Sequence, residues 1–361
     1  MIDVIVVDDS AVVRKSLDRE LSRRAGIDVV ATAVDPYEAR DQIVEHDPDV
    51  LTLDLEMPRM NGLTFLKQLM RHRPLPVVVV SSVAPKSSEN ALRALELGAV
   101  EVVPKPGSAS SVPDVGKELV RAVRAAAKAR PGRRDEPDAT PAPSSADRAT
   151  RPDGGPGVAG ARRDLVLAIG ASTGGTRAIE SVLAGLPADI PPTMVVQHMS
   201  AGFTGPYAER LDRASPFAVE QARDGQPLEP GLVLVAPGDR HLLLRSSGSR
   251  RVACLRSGPP VNRHRPSVDA LFRSVAEEAG GDSVAVLLTG MGDDGARGLK
   301  LIRDHGGRTV AQDEESSVVY GMPRAAAEMD AAEEIVSLEQ MPRLITERIA
   351  GPAGRTAGPG G

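Results

Sequence analysis

Residues 165–176 read LVLAIGASTGGT. A short apolar run, Leu165–Ile169, stops at Gly170-Ala171-Ser172-Thr173-Gly174-Gly175, and the pattern predicts a helix from about Thr176 to Ala184. Apolar run, glycine turn and helix make the first half of a βαβ unit. The glycines allow a sharp turn and leave the Ser172 hydroxyl at the carboxyl end of the strand, where the first helical amides face whatever it attacks. Gly170, Ser172 and Gly174 fit the G-x-S-x-G pattern of a nucleophile elbow. Glycine turns of this kind also bind phosphates or dinucleotides, or merely reverse the chain. The company Ser172 keeps elsewhere in the sequence decides among these.

Two further strand ends carry chemistry. His198 directly follows the apolar run in MVVQHM, and the run Val284–Thr289 leads into Gly290-Met291-Gly292-Asp293-Asp294-Gly295. A hydroxyl, an imidazole and a carboxylate thus emerge at carboxyl ends of strands expected to be parallel, the edge where active sites form in open α/β sheets. They are the parts of an acyl-transfer triad. Of the other histidines, His46 and His72 read as solvated helix residues and His305 as a cation near a helix end. His241 follows the turn signal Pro237-Gly238-Asp239-Arg240, and His264 lies between Arg263 and Arg265 in a basic loop, a contact rather than a base. Pattern alone does not separate Asp293 from Asp294. The order Ser, His, Asp differs from the Ser, Asp/Glu, His order of ordinary α/β-hydrolases. No Gly-Lys-Ser/Thr follows the turn, which disfavours a nucleotide site.

Before this domain the chain alternates apolar runs and helical stretches. Val4–Val7, Val29–Ala33, Val50–Leu53, Val77–Val80 and Val100–Val103 read as five buried parallel strands. With five intervening or following helices they form one doubly wound domain over residues 1–127. Residues 128–164 are rich in Pro, Gly, Ala, Ser, Asp and Arg, with Val158 the sole large aliphatic, so they are expected to be a flexible linker. The second α/β domain occupies 165–350, with strands expected at Leu165–Ile169, Met194–Gln197, Leu232–Ala236, His241–Leu244, Val252–Leu255, Ser283–Leu288 and Thr309–Gln312. The Gly/Pro-rich 351–361 is expected to be a disordered tail.

In the first domain Asp8 and Asp9 follow the first strand and Asp54 the third, so three carboxylates should converge on one sheet edge. Such carboxylates repel unless a cation sits among them, and oxygen-only ligands suit Mg²⁺. Ser81 and Lys105 end the fourth and fifth strands at the same edge. Asp54, with Mg²⁺ and an ammonium nearby, is a plausible phosphoryl acceptor.

Composition narrows the class. The 361 residues are 41% hydrophobic and 26% charged, ordinary for a soluble multidomain protein. No apolar run approaches the ~18 residues of a membrane span. MIDVIVVDDS lacks the basic start of a signal peptide, and the single cysteine, Cys254, fits a reducing compartment. A cytoplasmic location follows as an expectation. Net charge of −5, aromatic content of 2% and no Trp give no sign of a nucleic-acid partner.

The pieces VVDDS at Val6–Ser10, DLEMPRMNG at Asp54–Gly62, Ser81 and Lys105-Pro106 closely resemble response-regulator receiver domains, which are flavodoxin-like. The resemblance implies phosphorylation at Asp54, Mg²⁺ held by Asp8, Asp9, Asp54 and the Glu56 carbonyl, and phosphoryl sensing by Ser81 and Lys105. The family's frequent aromatic switch residue is replaced by Val102. IGASTGG, VVQHM, Ala236-Pro237-Gly238 and LTGMGDDG resemble the catalytic domain of chemotaxis protein-glutamate methylesterases, the CheB family. That resemblance implies a Rossmann-like domain with Ser172 as nucleophile, His198 as base and Asp294, rather than Asp293, as acid. It further implies methylated chemoreceptors as substrate and a CheA-type histidine kinase as phosphodonor. An oxyanion hole is expected from the Thr173 and Met291 backbone amides. Arg177, Arg263 and Arg265 are candidates for contacts with acidic receptor helices.

Overall fold

The computed structural model describes residues 1–106, 112–129, 165–248 and 250–350. Within these the chain forms two compact units, each with its own sheet. The expected linker lies outside the described residues from 130 onward, as does the expected tail 351–361.

The first unit carries β1 (Ile2–Val7), β2 (Ile27–Ala33), β3 (Val50–Leu53), β4 (Val77–Ser81) and β5 (Glu101–Pro104). All pairings are parallel, in the order β2-β1-β3-β4-β5. That is the flavodoxin-like doubly wound order, in which the chain reverses direction between β1 and β3. β3, β4 and β5 are buried along their whole length, which is why they read as mainly apolar runs rather than alternating ones. Side chains also fix two of the helix starts. Asp35 accepts from the amides of Tyr37 and Glu38, and Asn61 from that of Leu63.

The second unit carries β6 (Val166–Ala171), β7 (Thr193–Gln197), β8 (Ala218–Gln221), β9 (Leu232–Val235), β10 (His241–Ser247), β11 (Arg250–Arg256), β12 (Ser283–Leu287), β13 (Arg308–Gln312) and β14 (Glu334–Val336). Seven of them form a parallel sheet in the order β14-β13-β12-β6-β7-β9-β8. Strand β6 lies at the centre, with β12 on one side and β7 on the other, so the topological switch point falls where Ser172 leaves the sheet. β10 and β11 form an antiparallel hairpin outside that sheet. Two strands of the sheet, β8 and β14, were not anticipated. Both are edge strands of three or four residues carrying Glu or Gln, too short and polar to give an apolar run. Strand β6 also runs to Ala171, two residues past the predicted end, which puts Ser172 directly on its tip.

Candidate functional site

At the carboxyl edge of the first sheet the expected cluster forms. Carboxylate oxygens of Asp8, Asp9 and Asp54 lie within 4.8 Å of one another. Lys105 Nζ reaches Asp8 Oδ2 at 2.9 Å and Asp54 Oδ2 at 2.7 Å. Asp8 and Asp54 are buried while Asp9 is exposed. Burial raises the Asp54 carboxyl above its ordinary range, against the opposing pull of Lys105. Burial works against the Lys105 ammonium too, but Asp54 and Asp8 outweigh it and raise its pKa. An all-oxygen set that one ammonium only partly neutralises suits a hard divalent cation. The Glu56 amide donates to Asp54 Oδ1 at 3.2 Å, and its carboxylate accepts from the Ser87 hydroxyl. Ser81 ends β4 with its hydroxyl 3.4 Å from the Ser82 and Ser87 carbonyls. Val102 is packed inside β5, paired with Val79.

The carboxyl edge of the second sheet gathers the other three strand ends. Ser172 follows β6 and His198 follows β7; these strands are in register through Ala171–Gln197, and the His198 amide donates to the Ala171 carbonyl at 3.1 Å. Asp294 comes from the loop after β12, which pairs with β6 on its other side. Ser172 is 1% exposed and His198 7%. His198 Nε2 lies 2.9 Å from Asp294 Oδ2. Ser172 Oγ and His198 Nδ1 are both buried, and neither has a hydrogen-bond partner among the described residues. With Nε2–H given to the carboxylate, Nδ1 is the nitrogen left to accept a proton. The serine-protease template uses the two nitrogens the other way round.

Glycines make this approach possible. A Cβ at Gly170 would sit 2.2 Å from Val268 Cγ1, and one at Gly290 2.6 Å from the Ser172 Cβ. The loops after β6 and β12 are therefore in direct backbone contact at the serine. The Ser172 amide donates to the Thr289 carbonyl at 3.0 Å, and the Thr289 hydroxyl lies 3.0 Å from the Thr173 carbonyl. Met291, two residues further on, is half-buried.

Asp294, not Asp293, meets the imidazole; Asp293 is exposed. The anchoring of Asp294 is the feature that strand-end reasoning missed. Its Oδ1 accepts from Asn262 Nδ2 at 2.8 Å, Ser267 Oγ at 2.8 Å and the Asp269 amide at 3.3 Å. Its Oδ2 accepts from the Val268 amide at 2.7 Å as well as from His198. Val268 and Asp269 open the helix Val268–Ala279, so the carboxylate sits on that helix's positive end. Asp269 returns the exchange, accepting from the Gly298 amide at 2.7 Å in the first turn of the helix Ala296–Asp304. Asn262 joins the two carboxylates, its second N–H reaching Asp269 Oδ2 at 2.6 Å. The sequence held one usable signal: Pro266-Ser267 before an apolar-periodic run is a helix start, and Ser267 is that N-cap. Which distant carboxylate docks there is not encoded locally. His264, read as a contact, stacks on His198 with ring centroids 3.8 Å apart and planes 5° from parallel. Arg263 and Arg265 are exposed, and Arg265 donates to the Gly258 carbonyl.

Burial disfavours the charge on Asp294, but the hydrogen bonds and charge of His198, with Asn262 and Ser267, outweigh it and hold the carboxyl well below the ordinary 3.8. Because the folded value is the lower one, the stability this carboxylate contributes is complete above pH 3.8 and is lost as pH falls through the depressed value. Thermal melts of the parent and of Asp294→Ala should therefore lie furthest apart at neutral pH and converge in strong acid. A gap unchanged between those conditions would contradict this.

Comparison with known proteins assigns each unit to a known family. Residues 4–115 match the response regulator receiver domain model and residues 167–345 the CheB methylesterase model. Protein-glutamate methylesterase/protein-glutamine glutaminase 4 of Anaeromyxobacter dehalogenans is 53% identical over 98% of this chain and 96% of its own length. Protein-glutamate methylesterase/protein-glutamine glutaminase 2 of Syntrophus aciditrophicus is 47% identical over 94% and 97%. Among solved structures, the CheB methylesterase catalytic domain of Thermotoga maritima matches with a TM-score of 0.50 and 38% identity, covering 50% of this chain and 97% of that one. A receiver domain followed by this catalytic domain, with near-full-length identity of this order, makes the chain a member of the CheB family of response-regulator methylesterases.

Proposed function

We propose that the chain hydrolyses γ-glutamyl methyl esters on chemoreceptors, and deamidates receptor glutamines, by a Ser172–His198–Asp294 triad under control of phosphorylation at Asp54. The observation that carries this reading is the buried edge where Asp294 holds His198 Nε2, leaving Nδ1 and the Ser172 hydroxyl both without hydrogen-bond partners among the described residues. Its relatives bear the names methylesterase and glutaminase.

Ser172 Oγ attacks the ester carbonyl carbon while His198 Nδ1 takes the hydroxyl proton; the contact between them tightens as substrate enters. Asp294 stabilises the imidazolium that results. The carbonyl π-electrons move onto oxygen, and the backbone amides of Thr173 and Met291 donate to that oxyanion, each such donor typically worth about 2.7–4 kcal/mol of barrier. Collapse breaks the bond to methoxide, which leaves as methanol with the proton from His198. Water, deprotonated by the same nitrogen, then cleaves the acyl-serine to free glutamate. With a glutamine substrate the leaving group is ammonia.

In the receiver unit Asp54 accepts the phosphoryl group from a CheA-type histidine kinase. Asp8, Asp9, Asp54 and the Glu56 carbonyl would hold Mg²⁺, which would supply charge neutralisation for phosphoryl transfer. Lys105 pairs with the product and Ser81 senses it, and with Val102 in place of an aromatic ring the relay runs through other contacts. The reaction takes place in the cytoplasm. The domain limits are 1–127 and 165–350, joined by 128–164.

The test is methanol release from methylated receptor with and without a small phosphodonor. The phosphodonor should raise the rate in the parent and have no effect on Asp54→Ala, whose basal rate persists. Stimulation of Asp54→Ala equal to that of the parent would remove Asp54 from the scheme.

A further inference from the structure

One carboxamide touches the backbone of both reacting residues. Gln197 is the last residue of β7, 4% exposed, and immediately precedes His198. Its Nε2 donates to the Ser172 carbonyl at 2.8 Å and to the His198 carbonyl at 3.1 Å. Both partners can only accept, so the NH₂ end must face them, one hydrogen to each. The oxygen end, Oε1, is buried without a hydrogen-bond partner among the described residues. The amide also explains Gly175, where a Cβ would sit 2.3 Å from Oε1.

For filling space alone this is a poor choice of side chain. A methionine occupies nearly the same volume and buries no unsatisfied oxygen, whereas the carboxamide leaves one acceptor desolvated and unpaired. What the amide adds is a bridge between two strand ends. Ser172 already has its N–H tied to Thr289 and its carbonyl to Gly175. Gln197 adds the cross-link to the His198 peptide, the only side-chain link between these two residues' carbonyls among the described residues.

Resting on the reading of Ser172 as nucleophile and His198 as its base, we infer that Gln197 is a positioning residue that fixes the spacing of Ser172 Oγ and His198 Nδ1 by clamping their main chains. It touches no reacting atom. It acts on the rate of acylation and leaves receptor binding alone.

The experiment compares full-length parent, Gln197→Met, Gln197→Glu and Ser172→Ala, all treated with phosphodonor, for methanol release from methylated receptor, with thermal melts to normalise for folded protein. Gln197→Met removes both donors at constant volume and should lower kcat about 10- to 100-fold, the scale of a small misplacement of reacting groups, while KM stays within about twofold. Gln197→Glu can donate only when protonated, and a buried carboxyl facing two carbonyls titrates well above its ordinary range. Its rate relative to the parent should therefore fall as pH rises through the neutral range, a signature that a packing role does not produce. Parental kcat in Gln197→Met, or a Gln197→Glu ratio that is flat with pH, overturns the role; if the Met variant does not fold, the Glu profile decides alone. Parent turnover that Ser172→Ala abolishes is the internal control. Its absence overturns the triad reading itself, while its presence beside an unaffected Gln197→Met overturns the clamp alone.

Discussion

Ser172→Ala should abolish ester hydrolysis, lowering kcat by about a million-fold, the loss seen when a serine hydrolase is stripped of its nucleophile. It should do so without cost to the fold. The hydroxyl is buried and has no hydrogen-bond partner among the described residues, so deleting it strands no donor or acceptor and removes a desolvated polar group. The thermal midpoint should stay level with the parent or rise slightly. Asp54 lies in a separate compact unit with its own acidic cluster, so phosphorylation by a small phosphodonor should proceed at the parental rate. The three readouts together separate a lost nucleophile from a damaged protein. Methanol release by Ser172→Ala at anything near the parental rate would end the assignment.

The juxtaposition of Ser172 and His198 was legible because each side chain sits at the tip of a strand whose apolar run is unmistakable. Ser172 and His198 follow β6 and β7 directly, and parallel strands share a carboxyl edge, so linear order was enough to bring them together. The same logic exposed Asp8, Asp54, Ser81 and Lys105. It stopped at Asp293 and Asp294, because adjacent loop residues differ only in which way the backbone turns them. Gly292 and Gly295, at φ 93° and 95°, bracket the pair and set that turn. Edge strands β8 and β14 escaped for a different reason: an edge strand is covered on fewer sides and needs no long apolar run. The Asn262–Asp269–Asp294 linkage escaped for a third. It joins two loops and a helix start, with partners up to 32 residues apart, by side-chain hydrogen bonds, and polar residues at such places carry no periodicity from which a contact can be read.

That linkage also governs how Asp294 can fail in the role proposed for it. Asp294→Asn keeps the volume and removes the charge, and it should lower kcat by about ten-thousand-fold, the loss found for the equivalent change in a serine protease. Five donors surround the carboxylate: His198 Nε2 and the Val268 amide at Oδ2, and Asn262 Nδ2, Ser267 Oγ and the Asp269 amide at Oδ1. If the new NH₂ takes the Oδ2 place, it opposes the Val268 N–H and drives His198 into the tautomer with its proton on Nδ1, where it cannot act as base. If it takes the Oδ1 place, it opposes the Asp269 N–H and the Asn262 amide, and only the Ser267 hydroxyl can rotate to accept. The second orientation preserves the working tautomer but no longer offers a charge to stabilise the imidazolium. Both orientations bury donors against donors, each worth about 1–3 kcal/mol, so Asp294→Asn should melt measurably below the parent where Ser172→Ala does not. Kinetics and melts on the two variants side by side provide the check. Turnover by Asp294→Asn within tenfold of the parent would mean that His198 is oriented by something other than this carboxylate, with the stacked ring of His264 the nearest alternative.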